Sequence, residues 1–415
     1  MSSDWIQGVD FSLSGVFVAI VDILSTIPPF FALFALCLAF LLWFVWVKIR
    51  YPFWSTQPVR HTYDWIKKPG ILHAILPKTK FYDPILVTTR FAELLSISEK
   101  EDLCRLLQSH WIPSDQLFCS IQAADFDVYL AGHCGKPVVS VLHERVYAST
   151  DATPHTNLLG MVCSTPVWFH RRDEAAVKIA FQDYLCLRRE NASRIRTLFD
   201  THEYNGRIMH PDIPVSVFKK EVERLEGVVP LVEYTCYTFY MRNRKLRHLP
   251  AHFQLVRVHH ANVDLLHDFV RMIPAAGFDA AILPDIGAIT ARLESNQMYM
   301  YVLKRGEEVF GFYWFKNAYV NWDADELGAT LHLVASYQNT ENMDLFCLGF
   351  SHSLKGILRE NRNYRMLMLD GLGSNGGIVD VWRKTHDVIV ETPCAYYLYN
   401  WGMETVEKEK CLVMV

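Results

Sequence analysis

Apolar and polar positions divide this chain into one unbroken apolar run and a long alternating remainder. Ile27 to Val47 (IPPFFALFALCLAFLLWFVWV) carries no charge, and a run of that length crosses a hydrocarbon core of ~30 Å as a helix. Trp43 and Trp46 stand where an interfacial aromatic belt would lie, and Lys48 and Arg50 follow without a small-residue cleavage site. Only Asp4, Asp10 and Asp22 are charged before the run. The positive-inside rule therefore places the N-terminus outside and everything after Lys48 in the cytosol, as a single-pass membrane protein.

Beyond the run, period-2 and period-3.6 patterns alternate. Ser98 with Glu101 reads as a capping box ahead of a helix carrying Leu103, Leu106 and Leu107. Leu117 to Ile121, Val138 to Leu142 and Leu158 to Phe169 read as strands. A helix from about Arg196 to Asn205 leads to a strand near Pro214 to Lys219. The second half repeats the theme. Met298 to Lys304 and Val309 to Phe315 flank a turn at Arg305-Gly306, followed by a strand over Gly328 to Ser336 and a helix from Asn342. Strands at Tyr364 to Leu369 and Cys394 to Trp401 close the pattern, which predicts two similar mixed α/β units and no short-period solenoid.

Composition narrows the class. With 415 residues, 51% of them apolar, the chain can bury a large core. Removing Asp4, Asp10 and Asp22 leaves 42 acids against 41 bases after residue 47. That balance gives no footprint for nucleic acid. Ten cysteines without a CxxC fit reduced thiols better than disulfides or a zinc site. His202-Glu203 lacks a second histidine at zincin spacing and His259-His260 stands alone, so no metal is expected. Gly371-Leu372-Gly373-Ser374-Asn375-Gly376 satisfies GxGxxG but has too little chain after it for a dinucleotide-binding unit, and reads as a glycine-rich turn. Gly349 to Ser353 lacks the closing glycine of a nucleophile elbow.

Three segments carry a resemblance. Tyr51-Pro52-Phe53-Trp54-Ser55-Thr56-Gln57-Pro58-Val59, Leu159 to Pro166 (LGMVCSTP), and Ala395 to Trp401 (AYYLYNW) occur in the order found in N-myristoyltransferases, which this chain resembles over residues 51–415. Leu76-Pro77 with Phe81-Tyr82 is similar to a further family element. The resemblance implies two fused GNAT-like acyltransferase halves forming a saddle. Residues 1–50 would carry the transmembrane helix, 51–225 the acyl-CoA-binding half and 226–415 the peptide-binding half.

The same resemblance implies site residues. Gln182-Asp183-Tyr184-Leu185-Cys186-Leu187 is similar to the family's N-F-L-C-V strand, whose bulge would make the Tyr184 and Leu185 backbone N–H groups an oxyanion hole. Tyr51, Phe53 and Trp54 would lie against myristoyl-CoA, with Leu185, Cys186 and Leu187 beside its thioester end. Ser193, Arg194, Arg196 and Thr197, in a loop opening a helix, would hold the phosphates. The α-carboxylate of Val415 would be the catalytic base that takes a proton from the N-terminal glycine of a substrate. Ser216 stands in the place of a family hydroxyl near that amine, and Asp115 alone remains where the family has an acidic run. The implied co-substrate is myristoyl-CoA, with no tightly bound cofactor. The implied partners are Gly-initiated protein N-termini, and the enzyme would be a monomer tethered through residues 27–47. A membrane-anchored acyl-CoA-binding pseudoenzyme and an acyltransferase for other amines remain open.

Overall fold

The computed structural model describes residues 29–64, 69–112, 114, 116–146, 155–241, 246–273, 277–322 and 328–415. Two compact units result, Met1–Gln57 and Pro58–Val415. In the first, a helix spans Pro29–Arg50 with its apolar side chains exposed, Phe30 and Leu36 among them. It is long and apolar enough to cross a membrane, with a mean hydropathy of 2.6 over its most apolar 18 residues. Ile27, Pro28 and the three aspartates that set the expected orientation lie outside the described residues.

The second unit is built on strands, in chain order β1 (Gly70–Ile71), β2 (Val87–Phe91), β3 (Leu117–Cys119), β4 (Val138–Val146), β5 (His155–Arg171), β6 (Val177–Leu187), β7 (Ser216–Glu221), β8 (Val232–Tyr240), β9 (Gln254–Arg257), β10 (Ala280–Leu283), β11 (Met298–Arg305), β12 (Glu308–Trp322), β13 (Ala329–Gln338), β14 (Tyr364–Asp370), β15 (Val388–Tyr399), β16 (Trp401–Gly402) and β17 (Cys411–Val413). Fifteen of them share one mixed sheet. One motif occurs twice in it. β4, β5 and β6 pair antiparallel, and the helix Ile195–Met209 then crosses over to β7, parallel to β6. β11, β12 and β13 likewise pair antiparallel, and the helix Met343–Glu360 crosses over to β14, parallel to β13.

The two copies are interlocked by a strand exchange. β8 follows β7 in the chain but pairs with β14, while β15 follows β14 but pairs with β7; β8 and β15 pair with each other. Edges that would otherwise expose unpaired N–H and C=O groups are thereby joined into one sheet. Each face is packed: Phe315, Phe346 and Phe350 fill one cluster, and Phe312, Trp314, Leu412 and Met414 another.

Local chemistry explains several of the element starts. The Asn342 side chain accepts from the Leu345 N–H and opens its helix where the sequence pattern placed it. Gly306 takes φ +59° in the hairpin turn between β11 and β12. The capping box needs correction. Both Ser96-x-x-Glu99 and Ser98-x-x-Glu101 fit the pattern, and the chain uses the first, so the helix begins at Ile97. The Ser96 N–H donates to Glu99 Oε2 at 2.8 Å and holds that carboxyl near about 2. The GxGxxG segment is a turn that opens the short helix Asn375–Arg383.

Candidate active site

The site begins with a defect in the β5–β6 ladder. Met161 pairs with Cys186 and Cys163 with Asp183, so Val162 faces two residues of β6, Tyr184 and Leu185. Tyr184 takes φ +53°, the left-handed region that an L side chain avoids unless packing enforces it. Here packing does enforce it: the Tyr184 ring lies within 4.9 Å of Tyr129, 5.4 Å of Trp111 and 5.8 Å of Phe126, centroid to centroid. Beyond the bulge, β6 and β7 no longer pair, their shared register ending at Gln182 and Phe218.

Asp183 precedes the bulge on β6. Its Oδ1 accepts from the Tyr184 N–H at 2.8 Å, and its Oδ2 accepts from Tyr129 Oη at 3.3 Å. Burial pushes its carboxyl above the usual range, while Lys316 pulls the other way. One of the two backbone donors singled out in the sequence thus has a carboxylate on it.

The C-terminal residues reach the same place. β17 runs parallel beside β10, the Met414 N–H donates to the Ile282 carbonyl at 2.9 Å, and every residue from Cys411 to Val415 is buried. Lys316 Nζ donates to the Val415 main-chain oxygen at 2.9 Å. Val415 lines a small cavity with Tyr129, His133, Thr165, Phe181 and Arg292. Arg292 donates from Nη2 to the Tyr129 carbonyl at 3.1 Å and stacks on the Tyr129 ring. His133 is held down to about 4, first by burial and then by Arg292, so its ring is neutral at physiological pH. Asp183 beside Tyr184 and Lys316 beside Val415 are near enough for each to shift the other's proton affinity.

The other sequence-derived candidates divide. Cys186 is buried, and burial drives its thiol up to about 12, so it offers no thiolate. Leu185 and Leu187 pack toward Leu198 on the crossover helix. That helix continues from the tight turn Arg189–Arg194, whose end is closed by the Ile195 N–H donating to the Ala192 carbonyl, and it has no side-chain cap and no acid in its first turn. Ser193 is exposed, and Arg194 and Arg196 are half-buried beside Thr197. Arg194 pairs with Glu144 at 3.5 Å and Arg196 lies over the Phe81 ring. Tyr51, Phe53 and Trp54 belong to the first unit, where Phe53 and Trp54 meet edge to face at 5.0 Å. Asp115 lies outside the described residues.

Ser216 is not brought to Val415. Its hydroxyl donates to Glu203 Oε2 at 2.9 Å and lines a different cavity, with Ser164, Pro166, Ala180 and Gln182. The Val415 cavity is lined instead by Thr165, Val167 and Phe181. Successive strand residues point to opposite faces, so Ser216 and Val415 lie on opposite sides of the sheet. The hydroxyls that do share the Val415 cavity are those of Thr165 and Tyr129.

The backbone arrangement is also found among solved structures. Saccharomyces cerevisiae N-myristoyltransferase with bound myristoyl-CoA matches with a TM-score of 0.62 at 14% identity, covering 86% of this chain and 94% of that one. A second structure of the yeast enzyme with myristoyl-CoA matches with a TM-score of 0.64 at 14% identity, covering 86% and 90%. The chain has the N-myristoyltransferase fold. No protein-family model matches it, and no curated protein sequence does. The likeness lies in the backbone. Within the N-myristoyltransferase fold, sequence reading had missed Lys316, Arg292 and His133 as site residues. For Lys316 a signal existed: in Phe312-x-Trp314-x-Lys316 a charge falls on the buried phase of a strand.

Proposed function

We propose that this chain is an acyltransferase that moves myristate from myristoyl-CoA to the N-terminal glycine amine of proteins. The observation that carries the reading is the convergence of the Tyr184-Leu185 bulge and the Val415 carboxyl at one site within this fold. In the reaction, the ammonium gives one proton to the Val415 carboxylate and the neutral nitrogen attacks the thioester carbon. Negative charge builds on the carbonyl oxygen, which the Tyr184 and Leu185 N–H groups stabilise once Asp183 has turned aside. The C–S bond breaks, the amide forms, and the departing thiolate takes the second nitrogen proton. No cysteine is acylated.

Phosphates of CoA would sit at the start of the helix Ile195–Met209 with Ser193, Arg194, Arg196 and Thr197, and Tyr51, Phe53 and Trp54 would line the nucleotide end. Residues 51–225 would bind acyl-CoA and residues 226–415 the peptide. The N-terminal helix would hold a monomer at a membrane with the catalytic part in the cytosol. A second reading, an acyl-CoA-binding protein without transfer, draws on the Asp183 carboxylate that occupies the Tyr184 N–H. Thiol release from myristoyl-CoA, measured with Gly-initiated and Ala-initiated peptides, separates them. Release with the Gly peptide alone supports transfer, whereas CoA binding without release supports the second reading.

A further inference from the structure

Lys316 places a cation on the group that the proposed chemistry uses as its base. Its strand is apolar on the same face, with Phe312 and Trp314 packed against Leu412 and Met414. An apolar side chain at position 316 would continue that packing, yet the position holds a lysine whose Nζ donates to the Val415 main-chain oxygen at 2.9 Å. The charged groups facing it come from every neighbouring element. They are Asp183 on β6, Arg292 on the helix Ile286–Glu294, Lys219 on β7 and Asp370 on β14, with His332 directly opposite on β13.

We propose that Lys316 is a positioning residue for the terminal carboxylate, fixing one carboxyl oxygen and keeping the carboxyl charged and aimed at the acceptor amine. The inference rests on the reading that Val415 supplies the base. Buried among Thr165, Val167 and Phe181, the carboxylate holds its charge only with cations beside it, and while Arg292 lines the same cavity, Lys316 is the one that donates to the Val415 oxygen. A carboxylate also accepts at both oxygens, so the contact with Lys316 leaves the second one for a substrate ammonium. Burial lowers the proton affinity of Lys316, and the nearby Asp183 carboxyl acts in the opposite direction.

The test uses the full chain in detergent, with its mass first placing the C-terminus at Val415. With [1-13C]valine incorporated, the terminal carboxyl is the one valine carboxyl that titrates, and its 13C shift reports its midpoint with no substrate present. An opposite charge at this range lowers a carboxyl midpoint by ~1–3 pH units. Lys316→Met should therefore raise the midpoint by about one unit or more, Lys316→Gln should do the same while keeping a donor, and Lys316→Arg should restore it. The acid limb of kcat/KM for a Gly-initiated peptide should move up with the midpoint, with the Kd for myristoyl-CoA unchanged. Equal midpoints in wild type, Lys316→Met and Lys316→Gln would overturn the proposal. If Lys316→Met does not fold, Lys316→Gln decides the matter alone. Should even the wild type transfer no acyl group, the functional reading fails, while the midpoints still decide the role of Lys316.

Discussion

Gly160 on β5 faces Leu187 on β6, next to the bulge, and a methyl group there should disturb both stability and rate. A Cβ at this position would lie 2.8 Å from Leu187 Cγ, 2.9 Å from the Cys186 carbonyl oxygen and 3.4 Å from Leu198 Cδ2. The leucine tips can shift. The Cys186 carbonyl is backbone, so relief requires β5 and β6 to separate by a few tenths of an ångström. Overpacking of this kind costs ~1–3 kcal/mol, and at ~2–4 °C per kcal/mol a fall in Tm of about 2–12 °C follows. The displaced segment carries the proposed oxyanion donors. Since ~1 Å of misplacement can cost ~10² in rate, a few tenths should cost about three- to tenfold in kcat. Gly206 is the matched control. It sits inside the helix Ile195–Met209 with nothing within 4 Å of a built Cβ, so Gly206→Ala should stabilise by ~0.5–1 kcal/mol. Scanning calorimetry and single-turnover transfer measure both variants. Gly160→Ala with wild-type Tm and kcat would refute the packing argument, and so would a Gly206→Ala that is equally destabilised.

Three further outcomes are expected. His202 is buried, its Nδ1 is bonded to Ser140 Oγ at 2.8 Å, and burial holds it down to about 3. The unfolded chain takes up a proton on this residue near pH ~6.5 and the folded chain does not, so its contribution is complete above that pH and lost as pH falls. At about pH 5 the loss is ~2 kcal/mol. Urea unfolding at that pH and near neutrality should show this difference in wild type and not in His202→Asn; equal differences would contradict it. Charge reversal at Arg194 and Arg196 should weaken CoA binding about tenfold or more by calorimetry. Unfolding midpoints should barely change, because the Arg194–Glu144 pair is partly exposed. His133→Gln should leave the pH profile of transfer in place, because a ring that titrates near 4 is neutral throughout the working range; a shifted profile would make His133 a proton carrier.

How much of this was readable in advance depends on whether the signal was local. The helix at Asn342, the hairpin at Arg305-Gly306 and the strands of both motifs follow from capping chemistry and period-2 alternation, which neighbouring residues determine. The strand exchange between β8 and β15 does not, because pairing partners are chosen by tertiary packing. The same limit applies to the site. The bulge required the family resemblance, since nothing in Tyr184-Leu185 alone marks a φ of +53°. Ser216 was misplaced because a one-residue change of phase moves a side chain through the sheet. Lys316 was visible only as a misplaced charge, and its partner, the last residue of the chain, is 99 residues away.

The central claim is that the carboxyl of Val415 receives the substrate proton. Expressed-protein ligation can replace that carboxylate by a carboxamide, which keeps the Val415 side chain and an oxygen for Lys316 while removing the charge. Turnover of myristoyl-CoA with a Gly-initiated peptide should then fall by ~10² or more, with the Kd for myristoyl-CoA unchanged. Wild-type turnover by the carboxamide protein would contradict the account and move the base to another group.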